Sequence, residues 1–320
     1  MPAPTLLAVA ARHGTVAAMR PDRAPLLTVV VPTRDRPHLL PQAVEGALAQ
    51  TVDDLEVVVV DDGSVEPVTL PAHPRVRVVR LDRSRGNAGA RNAGLAAARS
   101  RWLACLDDDD VLLPHFAETS LAALEGAGDT GPLPPPVAVT SGVAEVDEDG
   151  RELGRRLPPT LPRGAHYSLE PLPPGRSYNA KQTLVVETSV LRAIGGWDES
   201  FRSRTVTELF LRLNPVCSIL GLDEVTYRLR EHRGSRLSRD PALRQASFAQ
   251  LVAKHRALFD THPRRYAELL LDHALMSLHV GQVGPGMAAV ARAARRAPTA
   301  PLRRGRQLAG ATLRGVAGRR

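Results

Sequence analysis

Short apolar runs recur along the first third of the chain, with helical spacings between them. LLTVVV (26–31) and LEVVVV (55–60) are almost uniformly apolar, which is typical of strands buried on both faces of a sheet. VRVVRL (76–81) and WLACL (102–106) predict two more strands. Strands that alternate with helices predict a parallel sheet with helices on both faces. The expected fold class is therefore α/β, with a doubly wound, mostly parallel sheet.

The segments between these strands carry helical signals. In HLLPQAVEGALAQ (38–50) the apolar residues recur at helical spacing, and Asp35 is the expected N-cap, with Pro37 in the first turn. NAGARNAGLAAAR (87–99) predicts a helix of small residues. Such residues favour close packing of a helix against the sheet.

The rest of the chain is less regular. VAVTSGVAEV (137–146) and TLVVE (183–187) predict further strands, separated by Pro-rich segments that are typical of long surface loops. From about residue 239 the pattern is helical to the end. The expected organisation is an N-terminal tail (1–25), an α/β domain (26–238) and an α-helical region with a basic tail (239–320).

Composition excludes several function classes. Two cysteines form neither a disulfide framework nor a metal-ligand spacing, and 3% aromatic residues are too few for a single-strand nucleic-acid binder. No stretch of about 18 uncharged apolar residues occurs, and residues 1–20 lack the charged segment that opens a secretory signal. We therefore expect a cytoplasmic protein that binds no specific nucleic acid.

The net charge of +8 is concentrated at the C-terminal end. Residues 291–320 contain no acidic residue and many arginines. A basic helical segment of this kind predicts contact with anionic lipid or nucleic acid, whereas a solvated tail explains it equally well. Both interpretations stay open at this point.

Polar clusters follow three of the predicted strands. PTRDR (32–36), DDGS (61–64) and DDDD (107–110) each begin where a strand ends. In open α/β sheets, ligands bind beyond the carboxyl ends of the strands. The sequence therefore predicts a functional site at this edge of the sheet.

The four aspartates carry the most specific signal. In an extended segment, side chains two residues apart share a face, so Asp107 and Asp109 are expected to point together. Two such carboxylates repel each other unless a cation lies between them, and oxygen ligands suit Mg²⁺ or Mn²⁺ shared with substrate phosphates. The alternative is a solvated acidic loop in which Asp110 stabilises the start of the next helix.

The other clusters are less specific on their own. Asp61 and Asp62 could form only a turn, or bind a base or ribose if they lie at the site. GNAGARNAG (86–94) opens a helix whose N-terminus could approach a phosphate, but it matches neither the GxGxxG nor the P-loop pattern.

Taken together, four segments resemble family 2 glycosyltransferases of the GT-A fold. They are TVVVPTRDRPHLLPQAVEGALAQ, DLEVVVVDDGS, NAGARNAGLAAARSRWLACLDDDD and GGWDESF, and the resemblance covers about residues 26–232. It implies an inverting enzyme that uses Mn²⁺ or Mg²⁺ to transfer a sugar from a nucleotide-diphosphate sugar to a hydroxyl of a glycan or lipid-linked acceptor.

The resemblance also implies roles for individual residues. Asp107 and Asp109 match the family's D-x-D pair, with Asp109 as the direct metal ligand, and His232 matches a position that can reach the metal or the diphosphate. The positions implied for binding the donor nucleotide are Pro32, Thr33, Arg34, Asp61, Asp62, Arg91, Asp107 and Asp108.

The expected catalytic base is where the chain departs from the family. The register set by LFLRL (209–213) puts Thr205 and Val206 where the family has an acidic pair. Glu208 is the nearest carboxylate, although two residues along a helix rotate a side chain by about 200°. We name Glu208 as the candidate base and Asp198 as the alternative.

Two other function classes compete with the enzyme. The missing acidic pair favours a non-catalytic relative that binds a nucleotide sugar or glycan. A nucleotidyltransferase on a similar scaffold is less favoured, because no Gly-rich loop with a basic residue follows the first strand.

Overall fold

The computed structural model describes residues 24–127, 131–231 and 240–300. It divides into two compact units, which are described separately. One contains the sheet and its helices, and the other contains the C-terminal helices together with Leu169–Pro171.

The strands of the first unit are β1 (Leu27–Thr33), β2 (Leu55–Asp61), β3 (Val76–Arg80), β4 (Trp102–Cys105), β5 (Val111–Leu112), β6 (Val137–Val146), β7 (Glu152–Arg156), β8 (Val185–Glu187) and β9 (Ser218–Arg230). Its helices are α1 (Leu40–Leu48), α2 (Gly86–Ala97), α3 (Phe116–Gly126), α4 (Thr188–Ala193) and α5 (Thr205–Leu213), with a 3₁₀ turn at Lys181–Thr183.

One sheet joins these strands in the order β3-β2-β1-β4-β8-β6-β9-β5, and β7 pairs with β6. The pairs β1–β2, β1–β4 and β2–β3 are parallel, as the sequence predicts for the first half of the domain. The second half is mixed, because β8 runs antiparallel to β4 whereas β6 and β9 are parallel. The expected α/β sheet is confirmed.

The two faces of the sheet hold two apolar cores. Alternate residues of β1 separate onto them: Val29 and Val31 pack with α1 and α3, and Val30 packs with α2 and α5. A Cβ on Gly94 would lie 2.2 Å from Cγ1 of Val30, so only glycine allows α2 to approach β1 this closely. This supports the interpretation of the small residues in α2 as packing residues.

The start of α1 differs from the sequence prediction. The helix begins at Leu40, and Asp35 does not cap it. Asp35 instead adopts a left-handed backbone (φ 53°), where its Oδ1 accepts a hydrogen bond from the Val65 amide at 2.8 Å. Its own amide donates to Oγ of Ser64 at 3.0 Å. Asp35 therefore joins two loops at the carboxyl edge of the sheet.

The second unit contains α6 (Pro241–Lys254), α7 (Arg256–Thr261), α8 (Pro263–His279) and α9 (Val283–Arg296). Asp240 caps α6 by accepting a hydrogen bond from the Leu243 amide at 3.0 Å. The predicted C-terminal helices are confirmed over residues 241–296. Nowhere in the described ranges is a helix both long enough and apolar enough to span a bilayer.

A buried carboxylate fastens the opposite edge of the sheet. Glu56 in β2 is 1% exposed and accepts hydrogen bonds from Thr28 Oγ1 at 2.9 Å, Arg77 Nη2 at 2.9 Å and Arg99 Nη2 at 2.8 Å. Burial alone would raise the pKa of Glu56, but the hydrogen bonds from Arg99, Thr28 and Arg77 outweigh it and leave the pKa below its usual value. Through these hydrogen bonds Glu56 joins β1, β2, β3 and the residues that follow α2.

We predict that Glu56→Gln lowers the free energy of unfolding at pH 7 by about 2–3 kcal/mol, because a buried, doubly paired charge is lost. A carboxylate with a lowered pKa stabilises the fold above its unfolded pKa of about 4.3, and this stabilisation disappears as the pH falls below that value. The difference in unfolding free energy between wild type and variant, measured by urea unfolding, should therefore narrow from pH 5 to pH 3.

The matched control is Glu152→Gln, which removes the exposed ion pair with Arg155. This variant should unfold at the same urea concentration as wild type. If the unfolding free energies of wild type and Glu56→Gln differ by the same amount at pH 5 and pH 3, the role assigned to Glu56 is wrong.

Candidate active site

Three strand ends bring the polar clusters together. Thr33 at the end of β1 pairs with Asp61 at the end of β2, and the Asp62 amide donates to the Thr33 carbonyl at 2.9 Å. On the other side of β1, the Leu106 amide donates to the Val30 carbonyl at 2.9 Å, directly ahead of Asp107. The clusters predicted from the sequence therefore lie at one edge of the sheet.

The four aspartates form a turn and not an extended segment. The Asp110 amide donates to the Asp107 carbonyl at 3.1 Å, which closes the turn. Asp107, Asp109 and Asp110 each direct an oxygen to one place, where these three atoms lie within 4.8 Å of one another. The expectation that Asp107 and Asp109 face together is confirmed, but the turn, not strand alternation, is the cause, and it adds Asp110.

Two arginines pair with the aspartates. Arg91 Nη2 lies 2.6 Å from Oδ1 of Asp107, and Arg36 Nη1 lies 2.9 Å from Oδ1 of Asp108 and 3.3 Å from Oδ2 of Asp109. Burial alone would lower the pKa of Arg91, but the Asp107 charge outweighs it and the pKa is raised. Both arginines therefore stay charged, and they offset part of the negative charge of the aspartate turn.

Asp108 is not one of the three carboxylates that converge, and it contacts the end of β1 instead. It is 6% exposed, and its Oδ2 accepts a hydrogen bond from Thr33 Oγ1 at 2.7 Å. Burial and the nearby Asp109 charge raise the pKa of Asp108, although Thr33 and Arg36 oppose the rise. Asp108 thus fastens the aspartate turn to the end of β1.

Asp110 is held from the opposite side by β9. Its Oδ2 accepts a hydrogen bond from the Tyr227 hydroxyl at 2.8 Å, and its Oδ1 accepts one from the Arg230 amide at 3.0 Å. Burial raises the pKa of Asp110 to about 8, and the charges of Asp107 and Asp109 act in the same direction. β9 therefore fixes the far end of the turn.

The donor set fits a hard divalent cation. Asp107, Asp109 and Asp110 supply only oxygen atoms, and these atoms converge on one place. Carboxylates at such spacing suit Mg²⁺ or Mn²⁺. His232, the third ligand that the family resemblance implies, lies outside the described residues.

The Asp61 side chain is fully used in hydrogen bonds and an ion pair that hold the loop after β2. It is fully buried, and its carboxylate accepts hydrogen bonds from the Ser64 amide at 2.9 Å, the Val68 amide at 3.1 Å and Arg80 Nη1 at 2.6 Å. Burial alone would raise its pKa, but these bonds outweigh it and leave the pKa lowered. Asp61 shapes the loop beside the end of β1.

Asp62 organises the approach to α2. Its carboxylate accepts hydrogen bonds from Ser84 Oγ at 2.7 Å and from the amides of Arg85 at 2.7 Å and Gly86 at 2.9 Å. The loop is packed closely, because a Cβ on Gly63, which has φ 68°, would lie 2.7 Å from the Ser84 amide nitrogen. Asp62 thereby fixes the start of α2, the helix that carries Arg91.

The residues at the end of β1 that are predicted to bind the nucleotide differ in exposure. Pro32 and Thr33 are buried in β1. The Arg34 side chain is 52% exposed and forms a surface ion pair with Asp35 at 3.3 Å. Of these three residues, Arg34 presents the most accessible side chain.

The GGWDESF turn is fastened to α2. Asn92 Nδ2 donates to the Trp197 carbonyl at 2.8 Å, and the Trp197 amide donates back to Oδ1 of Asn92 at 2.8 Å. Glu199 accepts hydrogen bonds from Arg85 and Asn92. Asp198 is half-buried and accepts hydrogen bonds from the amide and hydroxyl of Ser200.

Glu208 is buried in α5 and engaged in an ion pair. Its side chain is fully buried, and its two carboxylate oxygens accept from Nε and Nη2 of Arg212 at 2.8 and 2.7 Å. Arg212 also donates to the carbonyls of Ile194 and Gly196. The pair connects α5 to the start of the GGWDESF turn, and Thr205 and Val206 occupy the first turn of α5.

Sequence reasoning missed three residues of the site. Arg36 bridges two of the aspartates, Asp110 joins their converging oxygens, and Tyr227 holds Asp110. Arg36 could have been found from its place in PTRDR, at the end of a strand beside an acidic cluster. Tyr227 has no local signal, because only the pairing of β9 with β5 brings it to the turn.

The family model "Glycosyl transferase family 2" matches residues 28–169, which include the ends of β1, β2 and β4. Among curated proteins, "Succinoglycan biosynthesis protein ExoO" of Rhizobium meliloti is 44% identical over 111 residues, covering 33% of this chain and 32% of that protein. "Pre-mycofactocin glycosyltransferase" of Mycobacterium tuberculosis is 30% identical over 298 residues, covering 87% of this chain and 57% of that protein.

The chain thus spans about a third of the first relative and just over half of the second. Among solved structures, S. aureus TarS 1-349 in complex with UDP superposes with a TM-score of 0.55 at 17% identity, covering 87% of this chain and 85% of that chain. The same TarS portion in complex with UDP-GlcNAc gives a TM-score of 0.52 at 14% identity, covering 88% and 92%. These matches show the same fold.

Proposed function

The chain belongs to glycosyltransferase family 2 through a domain with the GT-A fold, and on this premise we propose that it is a metal-dependent, inverting glycosyltransferase. It transfers a sugar from a nucleotide-diphosphate sugar to a hydroxyl group of a glycan or lipid-linked acceptor. The observation that carries this proposal is the aspartate turn, where three carboxylates converge beside Arg91 at the carboxyl edge of the sheet.

The donor would bind across the ends of β1, β2 and β4. Arg34 is exposed at the end of β1, and Arg91 lies beside Asp107, so both can contribute positive charge to a diphosphate. Asp61 and Asp62 act by holding the loops that form the floor of a nucleotide site. Complexes of TarS with UDP and UDP-GlcNAc support a nucleotide-sugar donor for this fold.

Asp107, Asp109 and Asp110 would hold a divalent cation, which offsets charge on the departing diphosphate when bound. Arg36 keeps the turn in shape by pairing with Asp108 and Asp109. Since Asp108 is buried against Thr33, it contributes to the donor site by fixing the turn and not by direct contact.

Two carboxylates between the GGWDESF turn and α5 are candidates for the general base that accepts the proton of the acceptor hydroxyl. Proton transfer to Glu208 would require its buried pair with Arg212 to open. Asp198 is half-buried and lies in the turn itself, so it is the more accessible carboxylate. We therefore assign the general base to Asp198 and a positioning role to Glu208.

The second candidate function is a binding protein without transfer activity. The paired state of Glu208 and the apolar Val206 at the family's acidic position favour it. Multiple-turnover transfer of sugar by the purified protein would exclude this candidate. The expected contact of the basic C-terminal segment with an anionic membrane stays a prediction, since residues 301–320 lie outside the described ranges.

We predict that one of UDP, GDP, dTDP and CDP raises the melting temperature in the presence of Mn²⁺. A nucleotide at about 100 times its dissociation constant adds about 2.7 kcal/mol to the stability of the state that binds it. The shift should disappear in Asp109→Ala and persist in the control Asp149→Ala, which removes an exposed carboxylate from the β6–β7 hairpin. Failure of all four nucleotides to shift the wild-type protein would exclude the proposed donor site.

We predict that Asp198→Asn lowers the transfer rate by about 10²–10⁴-fold with unchanged nucleotide affinity, as expected when a general base is lost. Glu208→Gln should instead lower the free energy of unfolding by about 3 kcal/mol, because it breaks a buried pair. Transfer rates, calorimetric nucleotide affinities and urea unfolding on both variants separate the two roles. A wild-type rate for Asp198→Asn would exclude it as the base.

A further inference from the structure

α8 and α9 of the second unit form a helical hairpin whose connecting end is apolar and exposed. α8 ends at His279, α9 begins at Val283, and the Gln282 amide donates to the Ser277 carbonyl at 2.8 Å across the connection. We call residues 275–287 the hairpin tip. Six of the ten large apolar side chains that are exposed in the described residues lie in this one segment: Leu275, Met276, Leu278, Val280, Val283 and Met287.

Packing between the two helices does not cover these side chains. α9 packs on α8 through small residues, and a Cβ on Gly286 would lie 2.8 Å from Cγ of Leu278. The larger residues of α9 lie outside this contact, so Val283 stays 60% exposed and Met287 56% exposed. Exposed apolar side chains that are concentrated in one place mark an interaction surface.

The charge of the sequence changes sharply around the hairpin tip. Asp272, one turn before Met276, is the last acidic residue in the sequence, and residues 273–291 contain no aspartate, glutamate, lysine or arginine. Residues 273–320 contain nine arginines. Two of them, Arg292 and Arg295, are exposed on α9. At about 1.5 Å per residue, they lie about 14 and 18 Å along the helix from Val283.

An anionic lipid bilayer is the partner that fits this combination. A bilayer takes up apolar side chains about 5–10 Å deep and attracts arginines that remain at its headgroups. Nucleic acid would bind the arginines but not the apolar side chains, and the hairpin tip contains no Phe, Tyr or Trp on which a base could stack. A second copy of the chain would bring two strongly basic segments together, and these repel each other.

We propose that the hairpin tip inserts into the surface of an anionic bilayer, with the exposed arginines of α9 on the lipid headgroups. The basic segment 291–320 by itself predicts an electrostatic contact, whereas this surface adds an apolar anchor on α8 and α9. The inference goes beyond the proposed function and does not depend on it, because the hairpin tip contains no residue assigned to the donor, the metal or the base.

The test measures binding of the full-length protein to sedimented vesicles of phosphatidylcholine alone and of phosphatidylcholine mixed with phosphatidylglycerol, without nucleotide. The double variant Val283→Ser/Met287→Ser should bind the mixed vesicles about tenfold more weakly than wild type, since less apolar area enters the lipid. The matched control Leu153→Ser/Val216→Ser replaces two apolar side chains of the first unit that are 60% and 44% exposed. It should bind as wild type does.

A second double variant, Arg292→Gln/Arg295→Gln, tests the contribution of charge. It should also bind the mixed vesicles about tenfold more weakly, and its preference for mixed over neutral vesicles should be smaller than that of wild type. At about 1 M NaCl the Debye length is only about 3 Å, so this charge contribution is screened. The difference between wild type and Val283→Ser/Met287→Ser should persist there, because apolar insertion is not screened.

Equal affinities of wild type and Val283→Ser/Met287→Ser for mixed vesicles would overturn the proposal, as would failure of the wild-type protein to bind them. A wild-type dimer that this variant converts to a monomer would assign the hairpin tip to a second copy, and overturn it too. Circular dichroism establishes that each variant is folded, and Met276→Ser, at a 45% exposed position of α8, should give a weaker loss of the same kind. Absence of nucleotide binding would exclude the donor site and leave the vesicle result unchanged.

Discussion

The balance of charge at the end of β4 is the constraint on which the site depends. Neighbouring carboxylates in a tight turn repel one another, and two guanidinium groups offset only part of their charge. The turn persists because Thr33, Tyr227 and the Arg230 amide also donate hydrogen bonds to it. The remaining negative charge favours a bound divalent cation, as the proposed function requires.

The fold supplies these groups from distant parts of the chain. β1 provides Thr33, α2 provides Arg91 and β9 provides Tyr227, and all three contact the aspartate turn. These residues come from nearly the whole sequence of the first unit. α2, which carries Arg91, packs closely on β1 at Gly94. At the opposite edge, Glu56 fastens the same strands through Arg77 and Arg99. Packing at one end of the sheet thereby supports the geometry at the other.

Local patterns predicted the first half of the fold and the location of the site. The uniformly apolar β1 and β2 and the small-residue α2 have strong local signals, because a parallel strand buried on both faces tolerates few polar residues. The structure differs from the sequence predictions at residues whose conformation depends on contacts with distant parts of the chain. Asp35 joins two loops because Ser64 and Val65 lie beside it, and β9 was not predicted because polar residues interrupt its apolar pattern. Asp110 and Arg36 became part of the site only through the turn and through contacts 72 residues apart.

Binding of Mn²⁺ measured by electron paramagnetic resonance, with and without UDP, GDP, dTDP or CDP, tests the central claim most directly. Because Arg36 and Arg91 already offset part of the charge, the aspartate turn should bind Mn²⁺ weakly alone and at least about tenfold more tightly with one of the nucleotides. By linkage, the same nucleotide must bind more tightly in the presence of Mn²⁺. An Mn²⁺ affinity that none of the four nucleotides changes would contradict a shared metal–diphosphate site.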